Sequence, residues 1–161
     1  MVRRGEAVII KSILVPTDFS EHAQRAFERA CDLARQLEAK IHLLHIASEN
    51  ALRIAIKEGL IANCSTDEEV HSAVEQLIGE RFAKTLAGVN ASDLAIEHSW
   101  RRGDPIAAIP AYAAEIGVDL VVVGRRGSGL IEGVRAAVIG SVTESLIRKS
   151  PCPVMIVRRE H

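Results

Sequence analysis

Between Gly124 and Ser141 the chain reads GRRGSGLIEGVRAAVIGS, glycines and small polar residues that follow the apolar run Leu120–Val123 and precede a helical pattern. A glycine-rich turn leaving a strand and entering a helix suits phosphate, because backbone N–H groups converge there and a helix N-terminus favours negative charge. Gly140-Ser141 opens that helix, so its amides and the hydroxyls of Ser141 and Thr143 are expected to point where an anion would sit. Arg125 and Arg126 add charge to phosphate or stay solvated. The segment contains no G-x-x-x-x-G-K-[ST], and no G-x-G-x-x-G follows the first strand, so it is neither a P-loop nor a dinucleotide fingerprint. Its glycines alone fit a surface loop equally well.

A second group, Pro16-Thr-Asp-Phe-Ser20, ends the first apolar run. A carboxylate at Asp18 can accept hydrogen bonds from two ribose hydroxyls or an exocyclic amine. It can equally cap the following helix, and the two roles are compatible. Thr17 and Ser20 read as turn and cap residues rather than nucleophiles. Of the histidines, His42 and His45 lie three apart on a predicted strand and face opposite sides of it. His71 and His98 have no acidic or cysteine partner at ligand spacing, so no metal site is expected. His22 is expected to be exposed in the first turn of a helix, and Glu132 and Glu144 read as helix-surface carboxylates rather than general bases.

The elements that must position these groups follow from periodicity. Val8–Val15, Ile41–Ile46, Leu94–Trp100, Leu120–Val123 and Val154–Val157 read as strands, the third half-exposed and the fourth buried on both faces. Helices are predicted from Asp18 or Ser20 to Leu37, over Leu52–Ile61 and Glu68–Leu86, from Pro105 to Ile116, and from Ser141 to Arg148. Pro110 inside the fourth helix predicts a kink or a shifted boundary. Strands alternating with helices imply right-handed crossovers and a doubly wound α/β fold with a mainly parallel sheet. Ligands of such sheets bind beyond the carboxyl ends of the strands, where strand order reverses. With the first strand beside the fourth, Pro16–Ser20 and Gly124–Ser141 would border one crevice.

Composition narrows the function classes. The chain has 161 residues, 48% of them hydrophobic, 25% charged and only 3% aromatic, which suits one domain with an aliphatic core. A net charge of −1 gives no footprint for nucleic acid or an anionic membrane. No stretch approaches the roughly 20 apolar residues of a membrane helix. Cys31, Cys64 and Cys152 are scattered and form no C-x-x-C, which reads as reduced thiols in a cytoplasmic protein. Val154–Val157, at a predicted sheet edge, is a template for pairing with another chain.

Taken in order, Val15-Pro-Thr-Asp-Phe-Ser20, Leu43-Leu-His-Ile46, Gly103-Asp-Pro105, Val121-Val-Val-Gly124, Gly140-Ser-Val-Thr-Glu144 and Pro151-Cys-Pro-Val154 resemble the universal stress protein (UspA-like) family along nearly the whole chain. The resemblance implies a five-stranded parallel sheet of order 3-2-1-4-5, a homodimer made through the last strand, and, in one branch, bound ATP. It implies that Pro16, Thr17 and Asp18 meet the nucleoside, that Ile46 contacts adenine through its backbone, and that Gly124 meets the ribose. Gly127, Gly140, Ser141, Val142 and Thr143 would gather around the phosphates, with any Mg2+ held by the phosphates. AMP or ADP are alternative ligands, and the protein partner is unknown. No catalytic residue is assigned; a nucleotide-free interaction protein and a weak ATP hydrolase are the alternative readings. Twelve residues separate Gly127 from Gly140, three more than the family's G-x-x-G-x9-G-[ST]. The surplus is expected to bulge outward at little closure cost, leaving both anchors in place.

Overall fold

The computed structural model describes residues 9–61, 64, 66–125 and 139–158. Among them, strands β1 (Ser12–Pro16), β2 (Lys40–Ala47), β3 (Ile96–Arg102), β4 (Leu120–Gly124) and β5 (Val154–Val157) form one parallel sheet of order β3-β2-β1-β4-β5. The connections carry helices α1 (Glu21–Leu37), α2 (Glu49–Lys57), α3 (Asp67–Ala87), α4 (Pro105–Ile116) and α5 (Ser141–Lys149). This is the doubly wound sheet expected from the sequence.

Alternation along the central strands sorts the core into two layers. Ile13 and Val15 of β1 and Val122 of β4 pack with α1 and α3, whereas Leu14, Val121 and Val123 pack with α4 and α5. The α1 face contributes Ala23, Ala26, Phe27, Ala30, Cys31 and Ala34, small residues that let the helix lie close to the sheet around one large ring. A fully buried side chain such as Phe27 contributes about 2–3 kcal/mol. Burial pushes the Cys31 thiol up to about 11, so it stays protonated and inert, and all three cysteines are free.

The starts of β1 and α2 and the path of α4 past its proline depart from the sequence reading, each for a local reason. β1 begins at Ser12 rather than Val8, because its partners begin at Lys40 and Leu120 and Ile9 extends past them into solvent. Helix α2 starts at Glu49, since Ser48 caps it by accepting from the Ala51 amide at 3.1 Å, and it stops at Lys57, just before the positive-φ Gly59. Helix α4 runs through Pro110 without a break. Proline cannot donate to the carbonyl four residues back, that of Ile106, and the buried Ser145 hydroxyl of α5 donates to it instead at 3.0 Å.

At the opposite end of the sheet from the strand carboxyl termini, Asp119 ties β4 to β1. Its Oδ2 accepts from the amides of Lys11 and Ser12, both at 2.9 Å, and from the Ser12 hydroxyl at 3.0 Å. These bonds hold its carboxyl below the usual carboxylate range. Asp119→Ala is expected to cost about 1–3 kcal/mol in denaturant unfolding, because two amides lose their acceptor. A depressed carboxyl stabilises the fold fully above its unfolded value and less as pH falls through the folded one. The wild-type protein should therefore lose more stability below about pH 4 than the variant does.

The two sheet edges are unlike. On β3, Glu97, Arg101 and Arg102 are exposed and ion-paired, Glu97 with Lys40, Arg101 with both oxygens of Glu115 at 2.7 Å, and Arg102 with Glu49 at 3.1 Å. On β5 the residues are Val154, Met155, Ile156 and Val157.

Candidate functional site

Strands β1 and β4 are neighbours, yet the chain leaves β1 for α1 on one face and leaves β4 for α5 on the other. Their carboxyl ends therefore flank the crevice that such a reversal opens. Two turns face each other across it.

The turn after β1 is held at every residue. The Thr17 amide donates to the Leu44 carbonyl at 2.8 Å, and the Thr17 carbonyl accepts from His45 Nδ1 at 2.8 Å. Thr17 Oγ1 accepts from the Phe19 amide, and Asp18 Oδ1 from the Ser20 amide, each at 3.0 Å. Ser20 itself caps α1 through the Ala23 amide. The cap role therefore falls to Ser20, and Asp18 pins the turn that precedes it. Phe19 adopts a left-handed conformation at φ 61, which for a bulky residue costs about 1–3 kcal/mol. Its ring is anchored edge-on to Phe82 at 5.2 Å and against His45 at 4.5 Å, with the Arg81 guanidinium 5.8 Å from its centroid.

His45 supports this turn from β2. A carbonyl can only accept, so Nδ1 carries the proton of the neutral ring. Burial pushes the imidazole below its ordinary value, partly offset by the Thr17 hydrogen bond and the Asp18 charge and reinforced by the Arg81 charge.

The turn after β4 depends on Gly124. A Cβ there would sit 2.7 Å from the His22 carbonyl oxygen and 2.9 Å from its carbon, so only glycine lets the end of β4 pass the first turn of α1. His22 is accordingly half-buried rather than exposed as the sequence suggested. The buried Thr143 hydroxyl donates to the Gly124 carbonyl at 2.9 Å. That corrects the expectation for Thr143: its hydroxyl locks α5 to β4 instead of facing an anion. The Gly140 amide donates to the Arg125 carbonyl at 3.0 Å and the Arg125 amide to the Val157 carbonyl at 3.2 Å, closing the neck of the glycine segment. Gly140 is the N-cap of α5 and has no side chain to offer the first-turn amides, those of Ser141 and Val142.

A cleft of about 780 Å3 joins the two turns. Pro16, Thr17, Asp18, Ile46, Gly124, Gly140, Ser141, Val142 and Thr143 all line it, so the structure gathers the expected site residues in one place. Gly127 lies outside the described residues, as do Arg126 and Glu132. Sequence reasoning missed His45, whose spacing from His42 was read only for chelation, and Arg81 of α3, which nothing local marks. Among the described residues no group of three His, Cys, Asp or Glu side chains is placed to hold a metal ion. None of their helices is long and apolar enough to cross a membrane.

The same fold recurs in known proteins. A universal stress protein of Staphylococcus haemolyticus is 32% identical over 152 residues, 93% of this chain and 86% of that one. The structure of the protein MJ0577 superposes with a TM-score of 0.75 at 25% identity, covering 96% of this chain and 99% of that one. A universal stress protein of Archaeoglobus fulgidus solved in complex with dAMP shares the fold, with a TM-score of 0.61 at 19% identity over 93% of this chain and 99% of that one. The model of the universal stress protein family matches residues 10–158, and on that span the chain belongs to the universal stress protein family.

Proposed function

We propose that the cleft binds an adenine nucleotide, in the first place ATP, and that the chain, as one domain, serves as a dimeric, non-enzymatic regulator of a stress response in the cytoplasm. One observation carries the reading: a carboxylate, Asp18, and the N-terminus of α5, whose N-cap is a glycine, line one cleft at the reversal point of the sheet. The ribose hydroxyls are donors for Asp18, and the phosphates are acceptors for the amides of Ser141 and Val142. Adenine lies toward Ile46, the ribose at Gly124, and Gly127 and Gly140 flank the phosphates, which carry any Mg2+. The Thr17 carbonyl, already bonded to His45, keeps one lone pair for the ligand. The dAMP complex of the Archaeoglobus fulgidus relative supports the ligand class. Isothermal titration with ATP and magnesium, against GTP as control, tests it: saturable binding of ATP is expected, and no heat at millimolar ATP overturns it.

The direction of the backbone groups of β5 supports dimerisation through that strand. The carbonyls of Pro153 and Val157 accept from Val121 and Arg125, so every second residue of β5 faces β4 and the amides of Val154 and Ile156 face outward. Ile156→Pro removes an outward donor and leaves the pairing with β4 intact. A dimer by sedimentation velocity should become a monomer in this variant, with nucleotide binding retained; an unchanged dimer moves the interface elsewhere.

A further inference from the structure

The cleft is longer than its polar end. Beyond β2 it continues between α2 and α3 along Leu52, Ile54, Leu60, Ile61, Leu77 and Ile78. Leu52, Ile61 and Ile78 are buried, while Ile54 at 47% and Leu60 at 51% exposure stand open at the rim. Between Ser48 and Glu58, the caps of α2, the described side chains of this wall are aliphatic. A nucleobase edge or a peptide backbone would leave polar groups unpaired there, whereas an aliphatic chain brings none.

Among the described residues that line the cleft, Arg81 of α3 is the one lysine or arginine, and its guanidinium rests over the ring of Phe19; Asp18, Glu58 at the C-terminus of α2, and Glu144 line it too and would repel an anion, so a carboxylate is placed at Arg81 alone. We propose that the α2–α3 end of the cleft is a second subsite, taking the aliphatic chain of a carboxylate amphiphile whose head group meets Arg81. The wall runs along α2, a helix of nine residues and so about 14 Å long, enough for a medium-length chain. The guanidinium presents paired donors to the carboxylate, and the chain covers the isoleucine and leucine left open at the rim.

The test is titration with octanoate, decanoate and dodecanoate below their micellar concentrations, with dodecanol as the uncharged control and AMP measured on the same samples. Affinity should tighten about two- to fourfold for each added methylene until the subsite is full. Arg81→Gln, an exposed position, should weaken dodecanoate several-fold and leave dodecanol unchanged. Leu77→Trp should fill the subsite and flatten the chain-length series. Absence of dodecanoate binding, equal affinity for all three carboxylates, or indifference to Arg81→Gln overturns the proposal, whatever AMP does. Carboxylate binding by protein that binds neither AMP nor ATP supports this subsite and overturns the nucleotide reading instead.

Discussion

Asp18→Ala will leave the protein folded and weaken ATP binding by about ten- to a hundredfold, the loss expected when a hydrogen-bonded charge is removed from a ligand. The side chain also holds the Ser20 amide, so a stability cost of about 1 kcal/mol should accompany the change. Asp18→Asn separates the two effects. An asparagine oxygen can still accept from Ser20, restoring the turn, but it lacks the charge that strengthens bonds to ribose hydroxyls. Titration calorimetry of both variants, with unfolding curves alongside, checks this. Unchanged ATP affinity in Asp18→Ala would remove Asp18 from the site, and full recovery in Asp18→Asn would limit its role to shaping the turn.

Gly124→Ala should be the most damaging single-methyl change near the cleft. The added Cβ meets backbone atoms of His22, which cannot swing aside, so β4 or the first turn of α1 must shift. Overpacking of this kind costs about 1–3 kcal/mol. For a chain of this size that lowers the melting temperature by about 3–12 °C. The Gly124 carbonyl also anchors Thr143, so α5 moves with it and ATP affinity falls as well. Gly79→Ala is the matched control: it lies inside α3 with nothing within 4 Å of an added Cβ, and stability should hold or rise slightly. Equal melting temperatures for the two variants would show that β4 does not need glycine at its end.

The sequence made the fold legible where hydrophobic pattern and breakers agree. Leu120–Val123 is apolar throughout because both layers cover it, and Asp104-Pro105 announces α4 through a cap and a first-turn proline. It was misleading where the deciding group is distant. The helix passes Pro110 because a hydroxyl 39 residues away in sequence, on Ser145, satisfies Ile106. Leu94 reads as strand but sits in a turn, its amide bonded to Ala91, and the run becomes strand only at Ile96, beside Ile41. In the site, Asp18 and Gly140 were visible as local motifs. The division of labour between Asp18 and Ser20, the turning of the Thr143 hydroxyl onto Gly124, and the approach of Arg81 were not, because each depends on which elements meet in space. The three surplus residues before Gly140 lie outside the described residues; the bond from the Gly140 amide to the Arg125 carbonyl is what the structure describes of that segment's two ends.

The unlike edges of the sheet set a limit on assembly. Joining two copies through β5, as proposed, would use that edge strand of each and leave β3 outermost at both ends of the combined sheet. There Glu97, Arg101 and Arg102 are already engaged with partners of their own chain, so a third copy meets charge rather than an apolar ladder. In the proposed pairing each copy would have a valence of one: growth would terminate at a pair, with the β5 edge of each copy used up in the act of pairing.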